Sequence, residues 1–270
     1  MIQQPRILPF SELQHWTART CEFLGRPLVV SFDEQPRETI LKPDEAGVSK
    51  SQAYIQHSEA IWDKHVARHG GNLWNGRVCT IQSIEVADGR LTLGTGTCGY
   101  KDIIFKQELG IEAFVKSYGP ETFDVHGVTG IVPITETHEV ILGEVGKGTI
   151  QTPGCLDIIG GTLNRDEHSV ESFTDIAQLA AAELREETSV SLEPGQLRLA
   201  SLGFYDGRCY VLFLAQTHSR EFEVDATLND ELAAVHRLSL SSISQTKMPT
   251  TRDVAYLQTY ADSILPSRAS

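Results

Sequence analysis

The stretch Ala182-Glu183-Leu184-Arg185-Glu186-Glu187-Thr188-Ser189-Val190, downstream of Gly160-Gly161, decides how this chain is read. Residues three and four apart share one face of an α-helix, so Glu183, Glu186 and Glu187 stand together. Ile176, Leu179 and Ala180 supply an apolar stripe that seats such a helix on a core. Exposed like charges at this spacing repel by about 0.2–0.5 kcal/mol per pair. A divalent cation that prefers oxygen ligands turns that repulsion into coordination, which makes the patch a candidate metal site. Acidic residues number 36 in 270, so a lone triplet of this kind also arises by chance as a solvated helix face. Its surroundings carry the reading.

An aliphatic strand, Leu156-Asp157-Ile158-Ile159, leads into Gly160-Gly161. Glycines there permit a strand-to-loop reversal and close approach of the backbone to a phosphate. After Gly161 come five residues and then Glu167, and Glu183, Leu184, Glu186, Glu187 and Val190 follow. This pattern resembles the Nudix box, G-x5-E-x7-R-E-U-x-E-E-x-G-U with U aliphatic. Three departures stand out. Fourteen residues separate Glu167 from Ala182 where the box has seven, so Thr174 takes the place of Glu167 in a gapless alignment. Ala182 replaces the arginine that helps orient a catalytic glutamate in that family, and Ser189 replaces the closing glycine.

A longer resemblance narrows the reading. Ala60-Ile61-Trp62-Asp63, Leu73-Trp74-Asn75-Gly76, the hairpin Val78–Gly94, Tyr100-Lys101-Asp102 and Gly127-Val128-Thr129-Gly130-Ile131 follow in an order similar to UDP-glucose/UDP-galactose pyrophosphatases. That Nudix subfamily shares the lengthened loop and lacks the same Arg and Gly. The resemblance implies an α/β fold: a Nudix α/β/α sandwich with a mixed sheet, preceded by a smaller α+β N-terminal domain. It implies a Mg²⁺-dependent enzyme, with Mn²⁺ as the alternative ion, that cleaves a UDP-sugar to UMP and the sugar 1-phosphate. Glu183, Glu186 and Glu187 are then metal ligands and catalytic residues, and Gly160, Gly161 and Lys147 contact the substrate. Two alternatives stay open: a non-catalytic sensor of nucleotide-sugars, and a Nudix enzyme for ADP-ribose, NADH or nucleoside triphosphates. Nudix enzymes also borrow a carboxylate from a later loop, where Glu221, Glu223, Asp230 and Glu231 are available.

The whole chain sets bounds on these readings. It is about 40% hydrophobic without an apolar run near 18 residues, as expected of a soluble protein. The start, Met1-Ile2-Gln3-Gln4-Pro5-Arg6, lacks the basic-then-apolar layout of a secretory signal, so a cytoplasmic protein is expected. Cys21, Cys79, Cys98, Cys155 and Cys209 form no CxxC pair, which suits reduced thiols. A formal charge of −13 disfavours nucleic acid and anionic membranes as partners. It equally disfavours a phosphate-bearing small molecule unless a metal or a basic pocket compensates. Oligomeric state is not legible.

Gly119-Pro120 marks a break, dividing an N-terminal domain, 1–119, from a catalytic domain, 120–270. Residues 1–50 carry one expected strand, Pro27–Phe32. A helix is expected over Ser51–Arg68, ending at Gly70-Gly71, then a hairpin around Asp88-Gly89 and a helix over Lys101–Ser117. Beyond the break, strands are expected at Val128–Ile134, Val140–Leu142, Leu156–Ile159, Leu199–Tyr205, Cys209–Gln216 and Val235–Leu238, with helices at Phe173–Thr188 and Arg252–Ile264. Gly94-Thr95-Gly96-Thr97-Cys98-Gly99 satisfies G-x-G-x-x-G but issues from a hairpin rather than a βαβ unit, so it reads as a strand end. Gly146-Lys147-Gly148-Thr149 lacks the Walker spacing. His65 and His69, four apart, have no third zinc ligand and read as solvated.

Overall fold

Asp88 and Gly89 both take positive φ, 52° and 74°, closing the two-residue turn that their side chains favour. The strands on either side pair antiparallel from Ala87↔Arg90 to Arg77↔Gly99. The computed structural model describes residues 5–13, 15–17, 27–32, 34–43, 50–69, 73–147, 152–218, 231–243 and 245–264. Cys21, Gly70, Gly71, Gly148, Thr149, Glu221, Glu223 and Asp230 lie outside the described residues.

In chain order the strands are β1 (Arg6–Pro9), β2 (His15–Thr17), β3 (Leu28–Ser31), β4 (Glu38–Pro43), β5 (Arg77–Ala87), β6 (Arg90–Gly99) and β7 (Val125–Thr135). They continue as β8 (Val140–Val145), β9 (Leu156–Asp157), β10 (Ile159–Thr162), β11 (Leu197–Tyr205), β12 (Arg208–Thr217) and β13 (Leu232–Leu238). The helices are α1 (Gln52–Arg68), α2 (Tyr100–Leu109), α3 (Ile111–Tyr118), α4 (Phe173–Thr188), α5 (Leu240–Ile243) and α6 (Arg252–Ile264).

The sheet is mixed. β7 runs parallel to β12 and antiparallel to β10, while β11 pairs antiparallel with both β12 and β3. Strand alternation sends the residues of β12 to two different cores. Val211 and Phe213 pack with Ile176, Leu179 and Ala180 of α4. Leu212 and Leu214 pack with Val254, Tyr256 and Leu257 of α6. The chain is thus an α/β protein with helices on both faces of a mixed sheet. Fully burying a side chain the size of Phe213 contributes on the order of 1.5–3 kcal/mol.

Several expectations meet the structure differently. The helix expected over Lys101–Ser117 is two helices, α2 and α3, because Gly110 at φ 81° breaks the run. Gly160-Gly161 does not end a strand. Both glycines lie within β10, paired with β7 from Ile159↔Ile131 to Thr162↔Val128. Residues 5–43 contribute β1, β2 and β4 besides the expected strand, each too short to show a period. His65 is buried at 8% exposure rather than solvated, although His69 beside it is exposed. The glycine-rich Gly94–Gly99 tract is plain strand. Across the sequence break at Gly119-Pro120, β3 pairs with β11 and β5 with β7, so backbone ladders cross it.

Two ion pairs, one half-buried and one buried, brace residues 50–124. Lys50 Nζ lies 2.7 Å from Asp102 Oδ2, which also accepts from the Gly99 amide, and the Tyr54 hydroxyl donates to Asp102 Oδ1 at 2.9 Å. Lys106, 3% exposed, donates to the carboxylate of Asp124 and, at 2.8 Å, to its carbonyl. Cys79, Cys98, Cys155 and Cys209 are free thiols. No helix among the described residues is long and apolar enough to cross a membrane.

Candidate active site

Helix α4 begins where its sequence provides a reciprocal cap. Ser172 Oγ accepts from the Asp175 amide at 3.2 Å, and Asp175 Oδ2 accepts from the Ser172 amide at 2.8 Å. The helix ends at Ser189, which takes the left-handed conformation, φ 61° and ψ 5°, and donates its amide to the Arg185 carbonyl. A glycine is the usual occupant of that position, which accounts for the box glycine in physical terms. Burial of Ile176, Leu179, Ala180 and Leu184 sets the roll of the helix.

That roll separates the three glutamates. Glu187 is buried at 4% exposure, Glu183 is half-buried and Glu186 is exposed. Glu183 and Glu187 face β10. A Cβ added to Gly161 would fall 2.1 Å from Glu183 Oε1, so only glycine lets this carboxylate lie on the strand. At Gly160 an added Cβ would meet the Thr129 carbonyl oxygen at 2.2 Å. The Gly160 amide donates to the Glu187 carboxylate.

The electrostatics are lopsided. Burial, then the charges of Glu183, Glu231 and Asp157, push the Glu187 carboxyl up to about 9. Burial, then Glu231, Glu186 and Glu167, push Glu183 up to about 7. Asp157 is raised to about 7 by burial and by Asp253, against hydrogen bonds from the Thr251 hydroxyl and the Ile158 amide. The principal charges acting on this group are other carboxylates. A buried carboxylate without a cationic partner gives up its ionised form, unless a cation arrives to restore it. The donors are oxygen only, the set that hard divalent cations take. Among the described residues no three His, Cys, Asp or Glu side chains stand in a closed metal-binding arrangement. Residues 219–230, directly before Glu231, are not described.

Of the expected site residues, the structure brings Glu183, Glu187, Gly160 and Gly161 together and leaves Glu186 at the rim. Glu167 sits exposed in the turn after Asn164, close enough for its charge to act on Glu183. Lys147 is exposed just after β8. Ala182 faces the other flank of α4, where it lines a cleft of about 450 Å³ with Arg185. That cleft is the larger one, but it holds none of the three glutamates. A smaller cavity of about 160 Å³ lies against Gly160, Gly161 and Asp157 and also takes in His126, Arg208 and Asp253. Sequence reasoning passed over Asp157, His126, Arg208 and Asp253. They come from β9, β7, β12 and α6, so no spacing links them.

No family model matches the chain, and no curated protein matches it. Solved structures similar to part of it include a MutT protein from Methanosarcina mazei Go1, at 18% identity and TM-score 0.38 over 51% of this chain and 91% of that one. A NUDIX hydrolase from Nitrosomonas europaea is similar at 20% identity and TM-score 0.36, over 53% of this chain and 93% of that one. The NUDIX domain of Shewanella oneidensis NrtR, complexed with ADP ribose, is similar at 15% identity and TM-score 0.37, over 57% and 97% respectively. Likenesses this slight assign no activity to the chain.

Proposed function

We propose that this chain is a divalent-metal-dependent pyrophosphatase of the Nudix type, acting on a nucleoside diphosphate linked to a sugar, with UDP-glucose or UDP-galactose as the substrate class. One observation carries the reading: Glu183 and Glu187 are held against a Gly-Gly strand with no cationic partner among the described residues, at the spacing of the Nudix glutamates. A structural role alone would favour pairing such groups, because burying an unpaired charge is costly.

In this reading Glu183 and Glu187 hold Mg²⁺ or Mn²⁺, with Glu186 at the rim. Such an ion, when bound, would supply charge screening for the diphosphate and a lowered pKa for a bound water. The chain's own groups do the rest. The Gly160 amide keeps Glu187 oriented, and Gly161 leaves the Glu183 carboxylate uncovered by any side chain. Of the later-loop carboxylates, Glu231 lies among the described residues and its charge acts on both glutamates, which supports it as the group that would accept the proton of the attacking water. The P–O bond of the bridge then breaks, leaving a nucleoside monophosphate and a sugar 1-phosphate.

Ser189 takes the conformation that a glycine there would take, so this departure from the box does not favour a non-catalytic sensor. The test is product analysis on UDP-sugars, ADP-ribose, NADH and nucleoside triphosphates, each with Mg²⁺ and with EDTA. UMP released from UDP-glucose only with Mg²⁺ is the expected result. Turnover of another member keeps the glutamate site and discards the substrate class. Absence of turnover throughout, with Mg²⁺-independent stabilisation by UDP-glucose, would leave the sensor standing.

A further inference from the structure

The 160 Å³ cavity beside β10 has a chemistry that the glutamate site does not use. Its polar and aromatic lining includes Tyr100, His126, Asp157, Arg208, Tyr210 and Asp253. β12 and β7 run in parallel register there, with Arg208 opposite His126 and Tyr210 opposite Val128. Side chains two apart on each strand share a face, so the register itself assembles this wall.

Two of these groups each carry one buried nitrogen without a partner. His126 is 5% exposed, and its Nδ1 has no hydrogen-bonding partner in the protein. Arg208 Nε is likewise buried and without one. Buried polar atoms of this kind are rare, and each calls for a ligand or water. The two carboxylates are only partly engaged. Asp157 Oδ1 accepts from the Thr251 hydroxyl at 2.7 Å and from the Ile158 amide at 2.8 Å. Asp253 accepts from the Tyr205 hydroxyl and lies 3.7 Å from Arg208.

This set narrows the occupant. A phosphate would sit between two carboxylates with one guanidinium to oppose them. An apolar group would leave the His126 and Arg208 nitrogens unpaired. A ligand rich in hydroxyls suits the site, since each O–H both donates to a carboxylate and accepts from a nitrogen donor. At about 160 Å³ the cavity has room for one sugar ring. Its position fits as well. Gly160 and Gly161 line the cavity and also lie against Glu187 and Glu183, so the two sites share strand β10. Among the described residues β10 pairs only with β7, leaving its other edge open.

We propose that this cavity is the sugar subsite, in which Asp157 and Asp253 accept ring hydroxyls and His126 and Arg208 complete the contacts. The assignment rests on reading the glutamates as a nucleotide-sugar hydrolase site. Its test separates the two ideas. UDP-glucose and UMP are titrated by calorimetry into Glu187→Gln protein, alone and combined with Arg208→Gln, and steady-state kinetics for UDP-glucose are measured with Arg208→Gln alone. Loss of one hydrogen-bonding partner of a charged group predicts about ten-fold or more weaker UDP-glucose binding and a raised KM, with UMP affinity unchanged. Should Arg208→Gln fail to fold, Gln107→Trp fills the cavity from an exposed position at its mouth and is expected to discriminate in the same way. Equal weakening of both ligands, or no change while the wild type hydrolyses UDP-glucose, overturns the sugar subsite and leaves the hydrolase reading intact. A wild type that neither binds nor cleaves a UDP-sugar overturns the hydrolase reading, and the subsite with it.

Discussion

Residues 50–124 and the β9–β10–α4 region both bury carboxylates, and they handle the charge in opposite ways. Burial works against ionisation of Asp102, yet Lys50, the Gly99 amide and Tyr54 hold its carboxyl below the usual range. Burial likewise works against the Lys106 ammonium, yet Asp124 beside it keeps that group charged. Among the described residues no cation offsets Glu183 or Glu187, and Arg208 with the Thr251 and Ile158 hydrogen bonds offsets Asp157 only in part, so all three are driven upward. In the first region, charge is neutralised within the fold and serves packing. In the second, the described residues leave most of the charge unneutralised, which is what the proposed metal site requires.

This contrast is open to direct attack. The largest effect is expected at Lys106→Met, which strands Asp124 in the core. It should cost about 3–5 kcal/mol of stability, read from urea unfolding. A loss below about 1 kcal/mol would erase the distinction between the two regions. Next, Glu187→Gln should reduce Mg²⁺-dependent hydrolysis by about 10²–10⁴-fold, on the scale of lost acid–base or ligand function. The metal-free protein should meanwhile unfold at the same temperature or higher, because the amide replaces a carboxyl already protonated at neutral pH. Retained turnover would move the chemistry away from α4.

The pH dependence sharpens the comparison further. In the folded chain Glu183 and Asp157 stay protonated to about 7, and Glu187 to about 9. The unfolded chain has already released those protons, so the folded state binds more of them and stability falls as pH rises. The melting temperature in EDTA should therefore decline from mildly acidic pH towards about 9, and saturating Mg²⁺ should flatten the decline. Asp102 acts with the opposite sign, but only in more acid solution, where its depressed carboxyl protonates. A melting temperature rising through neutrality in EDTA would contradict the uncompensated cluster. The smallest effect belongs to Ser189→Gly. Relief of the left-handed serine should stabilise the chain by about 0.5–1 kcal/mol and leave hydrolysis unchanged.

Much of this arrangement was visible along the chain. Helix α4 spans Phe173–Thr188 and helix α6 spans Arg252–Ile264, as their periodicities predict. The two-residue turn Asp88-Gly89 forms where the residue types place it, and Asp206-Gly207 makes a second with the same pattern of positive φ. Gly110 was missed as a breaker because the apolar pattern continues through it, and only its φ shows the interruption. The role of Gly160-Gly161 was read from phosphate approach. The structure adds a second reason, since neighbouring atoms occupy the space where side chains would be.

What the amino-acid sequence determined by itself is local: the helix that groups three glutamates, the caps at its ends, the turns, and the strand-forming runs. These follow from periods of two and 3.6 residues and from backbone preferences, which act over a few residues. The tertiary structure alone decided which glutamates are buried, that Asp157 and Glu231 act on them, and that His126, Arg208 and Asp253 share a cavity. Burial and strand register arise from contacts between residues up to a hundred or more positions apart, and no spacing in the chain encodes them.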